Sequence, residues 1–424
     1  MVITKILLSL FIALMPFVKM PSLPYFQRKI QYTEIVFIFL FLWVVYQAVK
    51  RGISLKRGIP NLYSLVFLLT TFAVSLFLAK PRLVDFIEYS GIAYLCVMYI
   101  AIVISVRDEI DWYYYLRVWA WTSASVCVLG LMGYAAACAT GAPNSLVPTL
   151  NPQSELIFFP GAVHFDLRIT STFSNPNMLA AYLITGTAVI LLLMKKRIKD
   201  GKKAGIYLAL LCLHILAAAL TKSRTASGVF LLATAGLFML TPVRKYALLK
   251  ISAILFTLLY SALALATVVI WVFPVQLNPL KMTTKNTEYY LQSEAGFKMW
   301  KDHPIFGVGP GRYNRNLADY FDWDKARESI FDPDDPLWRT KDPHSTYFGW
   351  AAETGIAGLL AILVLLGSHM GLAMKSGDTR IIAAGIIAFL LVGFSIDILP
   401  MRYLWFLLGM NGAYAYIVRP KIKV

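Results

Sequence analysis

KMWKDHPIFGVGPGR, Lys298–Arg312, and AAETGIAGLL, Ala351–Leu360, decide the architecture, because the chain changes character between them. The first lies in a polar stretch, residues 274–344, closing at DPHSTY, Asp342–Tyr347. The second re-enters a long apolar run. A polar insert of this length in so apolar a chain must fold against the rest. Its glycines, cations and histidine stand where chemistry at a membrane face would need them.

The whole sequence, insert included, is 58% hydrophobic and 15% charged, with a mean hydropathy of +0.64. Repeated apolar runs near 20 residues predict an all-α polytopic membrane protein, one membrane domain over residues 1–424. Twelve spans are expected near 3–18, 32–49, 62–79, 86–106, 115–139, 177–194, 204–221, 225–241, 249–273, 345–367, 380–397 and 400–418. The stretch 274–344 then becomes a long loop between helices nine and ten. Met1–Lys19 resembles a signal peptide without a small-x-small cleavage site and is expected to remain as the first helix.

Net charge is +17, which suits basic cytoplasmic loops and carries no nucleic-acid motif. With a cytoplasmic N-terminus, 21 Lys and Arg fall on the cytoplasmic side against 9 outside, leaving aside the 10 in the long loop. Long loops escape the charge rule. Both termini are therefore expected in the cytoplasm and the long loop outside, which in a bacterium is the periplasmic side of the inner membrane. Cys96, Cys127, Cys138 and Cys212 sit in or at the ends of apolar runs with no CxxC pair, so they are expected as core residues. No histidine pair has metal-ligand spacing, and neither metal nor cofactor is expected.

Three outward segments then share a face. RITSTFSNPN, Arg168–Asn177, leads into a helix with Pro176 in the first turn and Asn175 or Ser174 as cap, a natural anion site beside Arg168. An ordinary capped helix with an interfacial Arg reads equally from those residues. LTKSRTASG, Leu220–Gly228, sets Lys222 and Arg224 among hydroxyls in a tight turn on the side that should avoid cations. Snorkelling to headgroups is the plain account; pyrophosphate binding is the sharper one. In the long loop, Glu294, Lys298, Lys301, His303 and Arg312 surround Gly307, Gly309 and Gly311, whose spacing is not a dinucleotide fingerprint.

His344 opens the tenth helix at the bilayer boundary, where an imidazole can take a proton from a sugar hydroxyl. Asp397 is nearly intramembrane and level with it, placed either to orient His344 or to pair with Arg402. Glu353, two turns into the tenth helix, poses the same question.

These residues resemble the O-antigen ligase family of membrane glycosyltransferases. Four blocks carry the resemblance in order over about 190 residues: Arg168–Asn177, Thr221–Arg224, Trp300–Gly311 and His344–Gly358. The resemblance implies a GT-C-like fold and metal-independent, inverting transfer of a glycan from undecaprenyl pyrophosphate to a sugar hydroxyl of lipid A–core. It implies His344 as catalytic base and Arg168, Arg224 and Lys222 as pyrophosphate ligands. The reading of the residues themselves adds Asp397 beside His344 and, from the long loop, Arg312, which reads equally as a solvated surface charge. Ser345 stands where many relatives have Asn. An O-antigen or exopolysaccharide polymerase, a protein O-oligosaccharyltransferase and, from another class, a membrane transporter are the competing readings.

Overall fold

The computed structural model describes residues 2–18, 31–51, 58–83, 85–140, 163–164, 168–240, 276–277, 282–283, 288–324 and 343–418, with a few positions between 251 and 262. Helices dominate: α1 (Val2–Leu14), α2 (Tyr32–Arg51), α3 (Leu62–Leu78), α4 (Asp85–Ser105), α5 (Glu109–Thr140), α6 (Pro176–Lys199), α7 (Gly205–Leu220) and α8 (Ala226–Leu240). After the long loop's own α9 (Glu288–Asp302) and α10 (Tyr313–Tyr320) come α11 (Thr346–Met374), α12 (Arg380–Val392) and α13 (Arg402–Val418). Two-residue strand pairs, one joining Val163–His164 to Arg168–Ile169, are the sheet structure among the described residues.

Eleven of the twelve expected spans are helices here; the ninth, 249–273, lies largely outside the described residues. Among the described residues α2, α4, α5, α6 and α11 are long and apolar enough to cross a bilayer, and α1, α3, α7, α8 and α12 are shorter apolar helices. The chain is an all-α, multi-pass membrane protein. Two spans end earlier than expected: α1 at Leu14, just before Pro16, and α12 at Val392, because Gly393, Ser395 and Pro400 break the run and turn it into a connection carrying Asp397.

The centre is α6. Every residue from Leu179 to Met194 is buried, so it is apolar all round rather than striped. It packs against α5, α7, α8, α12 and α13. Small residues let the neighbours close in, as membrane helices require. At Gly236 an added Cβ would meet Leu191 Cδ1 at 2.3 Å. Cys96 and Cys127 are buried as expected, but Cys138 and Cys212 are exposed. In a bilayer an apolar run covers the lipid-facing side as readily as the core.

Charge is sorted between the two ends of the bundle. At one end Lys195 and Lys199 lie against Asp378, which also accepts from the Tyr414 hydroxyl at 3.1 Å, and Lys5 pairs with Asp111 at 2.6 Å. The other end carries α9 and α10.

There the two quoted stretches interlock. At Gly355 (φ 65°, ψ −164°) α11 breaks in a backbone region that is essentially glycine's alone. The break frees backbone groups, and the chain at 304–309 takes them up. Ile356 and Ala357 donate to the carbonyls of Pro304 and Ile305, at 2.9 and 3.1 Å. In return Val308 and Gly309 donate to Ala352 and Glu353, at 2.8 and 2.9 Å. An added Cβ at Gly307 would stand 2.3 Å from the Glu353 carbonyl carbon, which explains the glycine. From α3, the Ser75 hydroxyl closes the junction on the carbonyls of Phe306 and Glu353.

A second clamp lies beside it. The Asp85 carboxylate, 1% exposed, receives Arg312 and Arg315, each at 2.6 Å. Arg312 also donates to the carbonyls of Ala79 and Lys80.

Gly355→Ala should be destabilised by about 3 kcal/mol or more, from backbone strain plus the clash with Ile305. The check is an apparent melting temperature in detergent, with Gly371→Ala, where an added Cβ has open space, remaining near wild type. Asp85→Ala should cost about 3–5 kcal/mol, because two arginines lose their counter-charge in a partly buried site. A shift of only a degree or two would show the clamp to be superficial.

Candidate active site

Two of the motif blocks meet directly. Asn175 caps α6, its side-chain oxygen accepting from Met178 N–H at 2.9 Å, with Pro176 in the first helical position. One residue on, Asn177 Oδ1 accepts the Ser223 hydroxyl at 2.7 Å and an Arg168 N–H at 3.4 Å. Arg168 Nε also donates to the Thr221 carbonyl at 2.9 Å. The turn between α7 and α8 is knitted from within by its own hydroxyls: Thr221 Oγ1 accepts from Ser223 N–H at 3.3 Å, and Ser223 Oγ from Thr225 N–H at 3.1 Å. Thr221, Ser223 and Thr225 are buried, Arg224 half-buried and Lys222 exposed. Arg168, Lys222 and Arg224 are therefore gathered on one scaffold at the end bearing α9 and α10.

His344 reaches the same end by another route. Pro343 folds back over Gly349, where an added Cβ would come within 2.5 Å of the proline Cγ. His344 itself is half-buried, with a left-handed backbone (φ 48°). The next two residues are pinned to the α12–α13 connection. Thr346 N–H donates to the Gly393 carbonyl at 2.8 Å, and its hydroxyl donates to Ile396 and accepts from Ile398 N–H, both at 2.9 Å. Gly393 follows Val392, and Val392 touches α8 at Gly228, where an added Cβ would lie 3.1 Å from its Cγ1. One end of α12 thus ties the His344 segment to the helix that follows Arg224.

Strained backbone gathers here as well. Non-glycine residues with positive φ among those described are Asn61, Lys80, Ser171, Lys222 and His344. The last three fall inside the motif blocks, and strain of this kind persists only where the surrounding structure holds it in place.

Asp397 lies between the residues that Thr346 grips. Its carboxylate accepts the Trp350 indole N–H at 3.2 Å and the Leu399 N–H at 3.2 Å. The ion pair of Arg402 is with Glu34, at 2.7 Å, supported by Gln31 at 2.6 Å. Arg312, expected among the pyrophosphate ligands, is held instead at the α3–α4 connection, its guanidinium taken up by Asp85 and two carbonyls. Glu353 is structural: its two oxygens cap the N–H groups of Gly311 and Tyr313, both at 3.0 Å. His303 is exposed, and Glu294 and Lys298 form a loose surface pair at 3.8 Å.

Sequence reasoning missed Thr346, Trp350 and Asp85. A buried Trp one turn into a helix carries no signal of its own, and Asp85 is legible only once Arg312 is known to lie beside it. Asn177 was quoted as part of a motif, but its task of holding Arg168 and Ser223 together needs the fold.

No curated protein matches the chain significantly. Residues 207–363, from α7 through the long loop to the middle of α11, match the family model described as O-antigen ligase (Wzy_C). The match includes the Lys222–Arg224 turn, the interlocked 298–312 and 351–360 stretches, and His344. This multi-pass membrane protein carries an O-antigen ligase domain across residues 207–363.

Proposed function

We propose that the protein transfers a glycan from undecaprenyl pyrophosphate to a sugar hydroxyl of lipid A–core. The observation that carries this reading is the union of Arg168, Lys222 and Arg224 on a scaffold tied through α12 to the His344 helix start. Such a union supplies both things the reaction needs, cations at the leaving group and a base at the nucleophile.

On this reading the acceptor oxygen attacks the anomeric carbon, and its proton passes to His344. The bond from that carbon to the pyrophosphate oxygen breaks with its electron pair. Undecaprenyl pyrophosphate leaves as an anion, held by Arg168, Lys222 and Arg224. Direct displacement inverts the anomeric centre, and charge relief comes from the three cations without a metal. Asp397 acts as a positioning residue through the α12–α13 connection. The basic cluster around Lys195, Lys199 and Lys202 suits a cytoplasmic end, which turns the site and α9–α10 toward the periplasm of the inner membrane, with both termini in the cytoplasm.

His344→Ala should lower transfer at least about 10²-fold with normal protein levels. The readout is complementation of a strain lacking the gene, scored on a polysaccharide ladder gel with immunoblotting. Loss of capped lipid A–core with accumulated lipid-linked polymer supports ligation. Loss of polymer length instead would indicate polymerase chemistry, and a normal ladder would remove His344 as base. Arg224→Ala should lower transfer about 10²–10³-fold, and Arg224→Lys should recover part of it. Equal activity of Arg224→Ala and wild type in purified protein would remove Arg224 from the leaving-group site.

A further inference from the structure

A cavity beside the first turns of α11 has a chemistry that is the reverse of the basic scaffold. It is a cleft of about 580 Å³ between the starts of α2 and α4, the first turns of α11, and the α12–α13 connection. Four carboxyl groups line it, from Glu34, Glu88, Glu353 and Asp397. Phe72, Tyr94 and Trp350 add aromatic faces, with Phe72 and Trp350 in contact at 5.0 Å between centroids.

The lining cation, Arg402, is already matched to Glu34. Nearby Arg312 and Arg315 are matched to Asp85. Both oxygens of Glu353 are taken by the N–H groups of Gly311 and Tyr313, while Glu88, exposed at the mouth, forms no ion pair with a cation among the described residues. α13 packs both on α4, which lines the cleft, and on α6, whose start belongs to the basic scaffold. Asp397 belongs to the cleft, while Thr346 grips the residues on either side of it.

We propose that this cleft is the acceptor subsite, and that it takes a neutral or amine-bearing sugar free of phosphate. The proposal rests on the glycosyl-transfer reading above. Displacement with inversion brings the nucleophile from the side opposite the leaving group. A pyrophosphate on the basic scaffold therefore calls for a separate entry for the acceptor. Carboxyl groups accept hydrogen bonds from sugar hydroxyls and pair with ammonium groups, while aromatic faces cover the apolar face of a pyranose or a cation. Like charge beside Glu88 and Asp397 repels phosphate, which keeps the donor's charged end out. At the mouth Ile87 is exposed beside Ser90 and Gly91, which gives a membrane-anchored acceptor a way in from the side of the bundle.

The test uses the full chain in nanodiscs without donor. Binding of three trisaccharide probes is followed by tryptophan fluorescence: one neutral, one carrying an amine, one carrying a phosphate. The neutral and amine probes should bind, and the phosphorylated one about tenfold or more weaker. Glu88→Lys should reverse that order, and Trp350→Phe should weaken the first two about tenfold. Undecaprenyl pyrophosphate binding should change less than about twofold in either variant. Glu88→Gln, which keeps size and polarity, serves if the Lys variant fails to fold, and should remove the discrimination. Tighter phosphate binding by wild type, a changed undecaprenyl pyrophosphate affinity, or no binding of any probe would overturn the proposal. A transfer assay with donor added reads the reaction separately. Probes that bind in the cleft but receive no glycan would count against the glycosyl-transfer reading and leave the cleft's selectivity standing.

Discussion

A single broken helix governs this end of the molecule. Gly355 interrupts the hydrogen-bond ladder of α11, and the backbone of 304–309 completes it. An uncapped break within an apolar helix would leave several polar groups without partners, at a cost of several kcal/mol each in hydrocarbon. The run 304–309 is the remedy, and Gly307, where an added Cβ would meet the Glu353 backbone, lets it lie close enough to exchange those bonds. Once docked, it carries Arg312 and Arg315 to Asp85 and the N–H groups of Gly311 and Tyr313 to Glu353. The helices α9 and α10 are thereby part of the bundle's architecture.

This anchoring leaves the candidate site in an electrically divided setting. Cations lie on the α6–α8 side, carboxyl groups on the α2–α4 side, and the His344 helix start is fixed at the α12–α13 connection that borders both. A field arranged in this way costs nothing to reorganise when charge develops, provided its members are held by neighbours. The neighbours here are plain ones: a threonine hydroxyl bridging Ile396 and Ile398, an asparagine joining Arg168 to Ser223, a tryptophan N–H on Asp397.

Much of the fold was legible because span length and hydrophobicity are local properties. The capped start of α6 was legible for the same reason: Asn175 and Pro176 act within one turn. The facing of each helix was not, and Cys138 and Cys212 show why, since lipid and core both favour apolar residues. Arg312 shows another limit. Its partner Asp85 is 227 residues away, so a charge that reads as a phosphate ligand in sequence is a structural clamp in the fold. Arg402 likewise goes to Glu34 rather than to its sequence neighbour Asp397. Glu353 suggests an intramembrane ionisable site until its two oxygens are found on backbone N–H groups. In each case the missing information was a long-range pairing, which no period or propensity encodes.

The interlock also bears on how the chain is assembled during synthesis. The first turns of α11 draw partners from residues 304–313, made earlier, and from Ser75 on α3, earlier still. That half of the helix cannot reach its final hydrogen bonding until the preceding loop has been delivered to the correct end and has found α3 and α4. A chain whose loop is stranded or misthreaded therefore leaves the backbone groups around Gly355 without these partners.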